Sequence, residues 1–175
     1  RIYEHGKLVN ETKNIIDYWK DDLVSFLIGC SFTFETAMLN ANISLRHIEQ
    51  DTTVPMYITN LETQAAGKFS GPTVVSMRPI KKEHLVRTVQ VTSRFPGTHG
   101  APLHIGNPNE IGINNIDAPD FGEKVEIKEN EIPVFWACGV TPQAVALKSK
   151  PPIMITHSPG YMFVTSTRDD SVAVI

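Results

Sequence analysis

The sequence predicts an α/β protein: a three-layer α/β region with a mixed or parallel sheet, carrying an inserted two-layer α+β subdomain. Three observations predict it. Two apolar runs, Leu23-Val24-Ser25-Phe26-Leu27-Ile28 and Ile132-Pro133-Val134-Phe135-Trp136-Ala137, each end at a Gly/Cys pair and lead into a stretch of helical composition. A third run, Ile153-Met154-Ile155-Thr156, follows the second helix at the spacing of a strand–helix–strand unit, which implies parallel strands. The stretch between has a different grammar, with one long amphipathic segment and a Gly/Pro/His-rich loop. The expected division is therefore residues 1–47 and 131–175 for the α/β region and 48–130 for the insertion.

Taken in order, Arg1 to Asn10 reads as strand and turn, with His5-Gly6-Lys7 at the turn. Ile15 to Asp21 is a short amphipathic piece, and Leu23–Ile28 a buried strand. Phe34 to Ala41 is a helix that Ser31 or Thr33 is placed to cap, with Glu35 in the first turn where the helix dipole favours negative charge. Val74 to Pro79 is a strand, and Pro79 to Ser93 a helix with Leu85, Val86 and Val89 as its apolar stripe. Val125 to Lys128 alternates like an edge strand. After the strand 132–137, Thr141 caps a helix with Pro142 at its first position, and Pro151-Pro152 ends it. Ile153–Thr156 is then a third buried strand, closed by the turn His157-Ser158-Pro159-Gly160.

Composition removes several classes of function. At 175 residues and 41% hydrophobic content, the chain can build a core without disulfides or metals. A formal net charge of -3 supplies no basic field for nucleic acid. No uncharged apolar run approaches the ~18 residues that a membrane helix needs. Two cysteines, Cys30 and Cys138, each inside an apolar run, read as free thiols in a reducing cytoplasm. The first segment reads like the interior of a longer chain, so a piece of a larger protein is expected.

The residues suited to chemistry lie at the junctions. Gly29-Cys30-Ser31 and Cys138-Gly139-Val140-Thr141 each place small residues and free N–H groups where a helix begins, a setting that attracts anions. Two such junctions facing one crevice suit a small dicarboxylate; the competing reading is two tight turns of buried small residues. The loop Arg94 to Gly106 carries Arg94, His99 and His104 among glycines and prolines, an imidazole supply for acid–base chemistry and a guanidinium for a carboxylate. Arg78 ends a strand, and His157 stands at the end of another. Arg46-His47, after the first helix, and Arg78 can each reach the crevice, with a surface ion pair as the default reading of each. The His-x4-His spacing is not a zinc pattern, and neither a Gly-x-Gly-x-x-Gly nor a Walker-type loop occurs, so no metal or cofactor is expected.

Several longer stretches resemble the D-glutamate cyclase family: Val24 to Phe32, Phe69 to Pro79, Thr92 to Pro96, His99 to Gly106, Pro133 to Gln143 and Ile155 to Gly160. The resemblance runs from about Asp17 to Thr165. It implies a three-layer α/β region with an α+β insertion, and conversion of D-glutamate to 5-oxo-D-proline plus water. It also implies a further N-terminal portion containing an Asn-Pro-Lys-Pro-Cys-Pro segment, a partner from the same polypeptide that this sequence does not contain. Cyclisation needs a base for the amine, an acid for the departing oxygen and positive partners for two carboxylates. The expected roles are acid/base for His99, His104 and His157 and carboxylate contacts for Arg78 and Arg94. The substrate lies against Cys30, Ser31, Cys138, Gly139 and Thr141, with the junction N–H groups forming an anion hole. A homo-oligomer is compatible with this reading. Two alternatives stay open: dehydration of another small hydroxy acid, and a non-catalytic module that binds glutamate or 5-oxoproline.

Overall fold

The computed structural model describes residues 1–174. The chain opens with a hairpin of β1 (Ile2–Glu4) and β2 (Lys7–Asn10). Its two turn residues, His5 and Gly6, both have positive φ (48° and 78°), the conformation that matches the twist of a two-residue hairpin. A second sheet contains β3 (Met56–Glu62), β4 (Pro72–Lys81), β5 (His104–Ile105) and β6 (Glu131–Ala137) in the order β3-β4-β6-β5. The last strand, β7 (Met154–Ile155), joins the hairpin to give the order β2-β1-β7.

Every pairing in both sheets is antiparallel, so the fold is α+β and the expected parallel sheet is not formed. The reason lies in β6. One of its edges pairs with β4 along Val75↔Ala137 to Lys81↔Glu131, and the other with β5 at His104↔Phe135. No edge is left for β7, which instead pairs with β1 at Ile2↔Ile155. The same sheet draws β4 and β6 from the two sides of the boundary expected at 130/131.

Two further expected strands are absent. Leu23–Ile28 lies outside any helix or strand, with Phe26 80% and Leu27 82% exposed. Val125–Lys128 is irregular, and Val125 buries its side chain against Tyr57, Val75 and Phe135. In both cases no neighbour offers a ladder, and local pattern alone cannot satisfy a strand's backbone groups.

The helices are short: α1 (Glu35–Asn40), α2 (Arg46–Glu49), α3 (Leu85–Thr92) and α4 (Thr141–Ser149). α1 follows a 3-10 turn at Ser31–Phe34, and its N-cap is Phe34 with no side-chain cap; the Ser31 hydroxyl is engaged elsewhere. α3 starts later than its pattern suggested, because β4 continues through Pro79 (opposite Pro133) to Lys81. Its buried positions are Thr88 and Thr92, while Val86 faces solvent. Thr141 is the first residue of α4 rather than its cap. Its Oγ1 donates to the Cys138 carbonyl at 2.8 Å and accepts the Val74 N–H at 3.0 Å, which ties the start of α4 to β4.

Strand alternation separates two cores. On one sheet face Ile80, Val134 and Trp136 pack with Phe34, Met38, Ile43, Leu45 and Phe95, from α1 and the segments around it. On the other, Val75, Met77 and Phe135 pack with Tyr57, Ile111, Ile113 and Val125. α4 is seated separately, through Val140 and Ala144 on Val54, Met56 and Val74.

Candidate functional site

On the first of these faces, among apolar side chains, β4 places Arg78 with no solvent exposure. A buried cation must be paired and hydrogen-bonded, and Arg78 is both. Its Nε donates to Glu35 Oε1 at 2.8 Å, and Nη2 reaches the same oxygen. Nη2 also donates to Ser31 Oγ at 3.1 Å, and Nη1 to Ser76 Oγ at 3.0 Å. The guanidinium carbon lies 5.4 Å from the ring centres of Phe34 and Trp136 and 5.9 Å from that of Phe32, within cation–π range. Glu35 in turn faces His47 Nε2 at 3.2 Å. Burial works against the Glu35 charge, but Arg78 and His47 outweigh it and hold the carboxyl below its ordinary range. The result is a closed ionic floor that fixes Ser31 from beneath.

Above this floor the two Cys junctions meet. A Cβ on Gly29 would fall 2.2 Å from the Gly97 carbonyl oxygen and 2.8 Å from Thr98 Cα, so only glycine allows this approach of the first junction to the histidine loop. His99 turns the loop there with a left-handed φ of 78°. Burial lowers its pKa; the Gly29 backbone beside the ring opposes that shift, and the Arg78 charge reinforces it. His99 is therefore neutral at pH 7, and its Nε2 is buried without a hydrogen-bond partner. On the second junction, the Gly139 carbonyl lies 3.2 Å from His157 Nε2, while His157 Nδ1 lies 2.8 Å from the Ser158 carbonyl. A neutral imidazole donates to only one of these two acceptors. Gln143, almost fully buried on α4, donates to the His157 carbonyl at 2.8 Å and accepts from Tyr3 at 3.1 Å, which locks the turn that carries the imidazole.

The thiols are not activated. Burial pushes Cys30 up, and pushes Cys138 up to about 11, so at neutral pH both remain protonated despite lying at helix starts. Cys30 Sγ sits 3.4 Å from Met162 Sδ.

The structure thus brings together Cys30, Ser31, Arg78, His99, Cys138, Gly139, Thr141 and His157. It does not bring in the other two expected residues. His104, opposite Phe135 on β5, packs against that ring in a tilted arrangement at 5.8 Å between centroids on the far face of the sheet, and its Nε2 meets the Asn107 carbonyl at 2.8 Å. Arg94 lines a separate groove of about 610 Å³ with Thr36, Arg87 and Arg168, and its Nε donates to the Val174 carbonyl.

Sequence reasoning missed Glu35 and His47 as members of the floor. Arg46 and His47, expected at the surface, are both buried; Arg46 pairs with Glu49, Glu126 and Glu131. One signal was present: Glu35 stands three residues before Met38, so it shares the buried face of α1.

An antiparallel α+β protein with two cysteine–glycine junctions over a buried Arg–Glu pair is thereby defined. The profile of the D-glutamate cyclase family matches residues 24–166, and the chain belongs to that family. It is 62% identical over 175 residues to a protein of Psychrobacter arcticus titled "Putative hydro-lyase", covering all of this chain and 66% of that protein. A Thermoanaerobacter pseudethanolicus protein of the same description is 64% identical over 173 residues, covering 99% of this chain and 65% of its own length. A Bacillus subtilis counterpart is 57% identical over 175 residues and is 68% covered. The chain spans just under two thirds of the length of the first two relatives. Among the described residues, no helix is long and apolar enough to cross a membrane.

Proposed function

We propose that the protein is a lyase that closes D-glutamate to 5-oxo-D-proline with loss of water. The observation that carries this reading is His99: a neutral imidazole with a buried, unpartnered Nε2, set beside the Gly29 junction and within reach of the Arg78 charge. The amine nitrogen forms a bond to the side-chain carboxyl carbon, and one carbon–oxygen bond breaks. Both protons of the departing water come from the substrate ammonium. One imidazole can take a proton from nitrogen and return it to oxygen, and the nearby Arg78 charge favours its release.

The N–H groups at Ser31 and Val140 receive the carboxylates. Arg78 is enclosed and holds Ser31 rather than touching substrate. His157, fixed by Gln143, supplies a second exchangeable proton at the rim. Two free thiols with raised pKa suit a cytoplasmic site of action.

The relatives' "hydro-lyase" titles also fit dehydration of a small hydroxy acid, so the test is a panel. The protein is incubated with D-glutamate, L-glutamate and β-hydroxy acids, and 5-oxoproline is followed by chiral chromatography. 5-Oxo-D-proline from D-glutamate is the expected result. No 5-oxoproline from either enantiomer, or turnover of a hydroxy acid alone, overturns the assignment.

A further inference from the structure

We infer that the apolar surface formed by residues 23–28 and 161–164 is the seat of the stretch of polypeptide that the relatives carry beyond the region they share with this chain, and that this stretch pairs with the Val24–Ile28 backbone as a β-strand. This goes beyond the reaction proposed above and does not rest on it.

Soluble surfaces rarely gather this many large apolar side chains. Val24, Phe26, Leu27 and Ile28 are all exposed, and so are Tyr161, Phe163 (76%) and Val164 (85%). The two segments approach each other at the Cys30–Met162 contact, 3.4 Å between the sulfurs. Among the described residues, no backbone hydrogen bond involves Val24 to Ile28 or Met162 to Val164. Bare N–H and C=O groups beside Val, Phe, Leu and Ile make a template for strand addition.

The pattern also says how much must cover it. Consecutive strand residues point to opposite faces, and here both faces are apolar, as in a strand from the inside of a sheet. A second copy paired along one edge would leave the other edge and one face in water. About a third of the length of the Psychrobacter arcticus and Thermoanaerobacter pseudethanolicus proteins lies outside the shared region. That is enough polypeptide for a strand on the edge and a layer on each face. Because the surface ends at Gly29 and Cys30, its occupant also forms a wall beside His99.

The test joins this chain to the extra stretch of the Psychrobacter arcticus relative, in that protein's own order, and compares amide hydrogen exchange with that of this chain alone. The expected result is a monomer in which the amides of Val24–Ile28 and Met162–Val164 exchange at least about tenfold more slowly. Phe26→Asp in the joined protein reverses that protection, while in this chain alone it leaves folding intact. If the joined protein does not fold, the intact relative is measured at its aligned segments, where the same protection is expected. Exchange that stays fast at these amides in both proteins, or protection that appears in this chain alone through self-association, overturns the proposal.

Discussion

Two apolar runs of nearly the same length and composition have opposite fates. Ile132–Ala137 becomes the interior strand β6, with Val134, Phe135 and Trp136 all at 0% exposure. Leu23–Ile28 becomes an uncovered strap. Both carry the residues that favour strands. They differ in what stands beside them: β6 has β4 on one edge and β5 on the other, and the strap has neither. A hydrophobic run states a need for burial, and neighbours decide whether that need is met.

The comparison yields predictions of decreasing size. Trp136 fills the core on the α1 side of the sheet and donates to Thr92 Oγ1 at 3.3 Å, so Trp136→Ala should cost about 3–5 kcal/mol in urea unfolding. If the strap behaved like β6, Phe26→Ala would cost as much.

Removing one partner of the buried floor should be almost as severe. Glu35→Ala strands the Arg78 charge and is expected to cost about 3–5 kcal/mol. The double variant Glu35→Ala/Arg78→Met should recover a large part of that loss. Recovery within error of zero would show that the pair is not coupled.

Gly29 is where the strap meets the histidine loop. Gly29→Ala should cost roughly 1–3 kcal/mol through overpacking on Gly97, and less if the strap shifts aside. In the activity assay, His99→Gln should lower the rate about 10²-fold while His104→Ala stays near normal.

Acid should act on the junction in two steps. His99 has a folded pKa below its ordinary 6.5, so its contribution is full above that pH and is lost as pH falls from 6.5 toward the folded value. Glu35 is held below its ordinary 4.5, so its contribution is present above 4.5 and is lost as pH falls through the lower folded value. His99→Phe should remove the upper step from a stability–pH profile and leave the lower one. The smallest effect belongs to the strap: Phe26→Ser should change stability by no more than about 0.5 kcal/mol, checked in the same urea series.

Much of the local structure could be read from the chain before any coordinates. The turn at His5-Gly6, the strands around Val74–Pro79 and Ile132–Ala137, and helix starts near Glu35 and Thr141 follow from short-range rules of turn chemistry and apolar runs. The motifs around Cys30, Pro72, His99 and Cys138 were enough to point to the family that the profile then matched. Strand partners and direction were not legible, because pairing is non-local: β7 joins β1 from the other end of the chain, at Ile2↔Ile155, where both edges of β6 are already occupied. Nor was it legible which side chains would share a space. His99 and His104 stand five residues apart on one loop, yet the β5–β6 register sends His104 to the opposite sheet face, and a one-residue slip would have reversed that. From the sequence, Arg78 at a strand end reads as a surface ion pair or a carboxylate contact. Enclosure by Phe32 and Phe34 from one segment and Trp136 from another, about a hundred positions further on, turned it into a buried partner of Glu35.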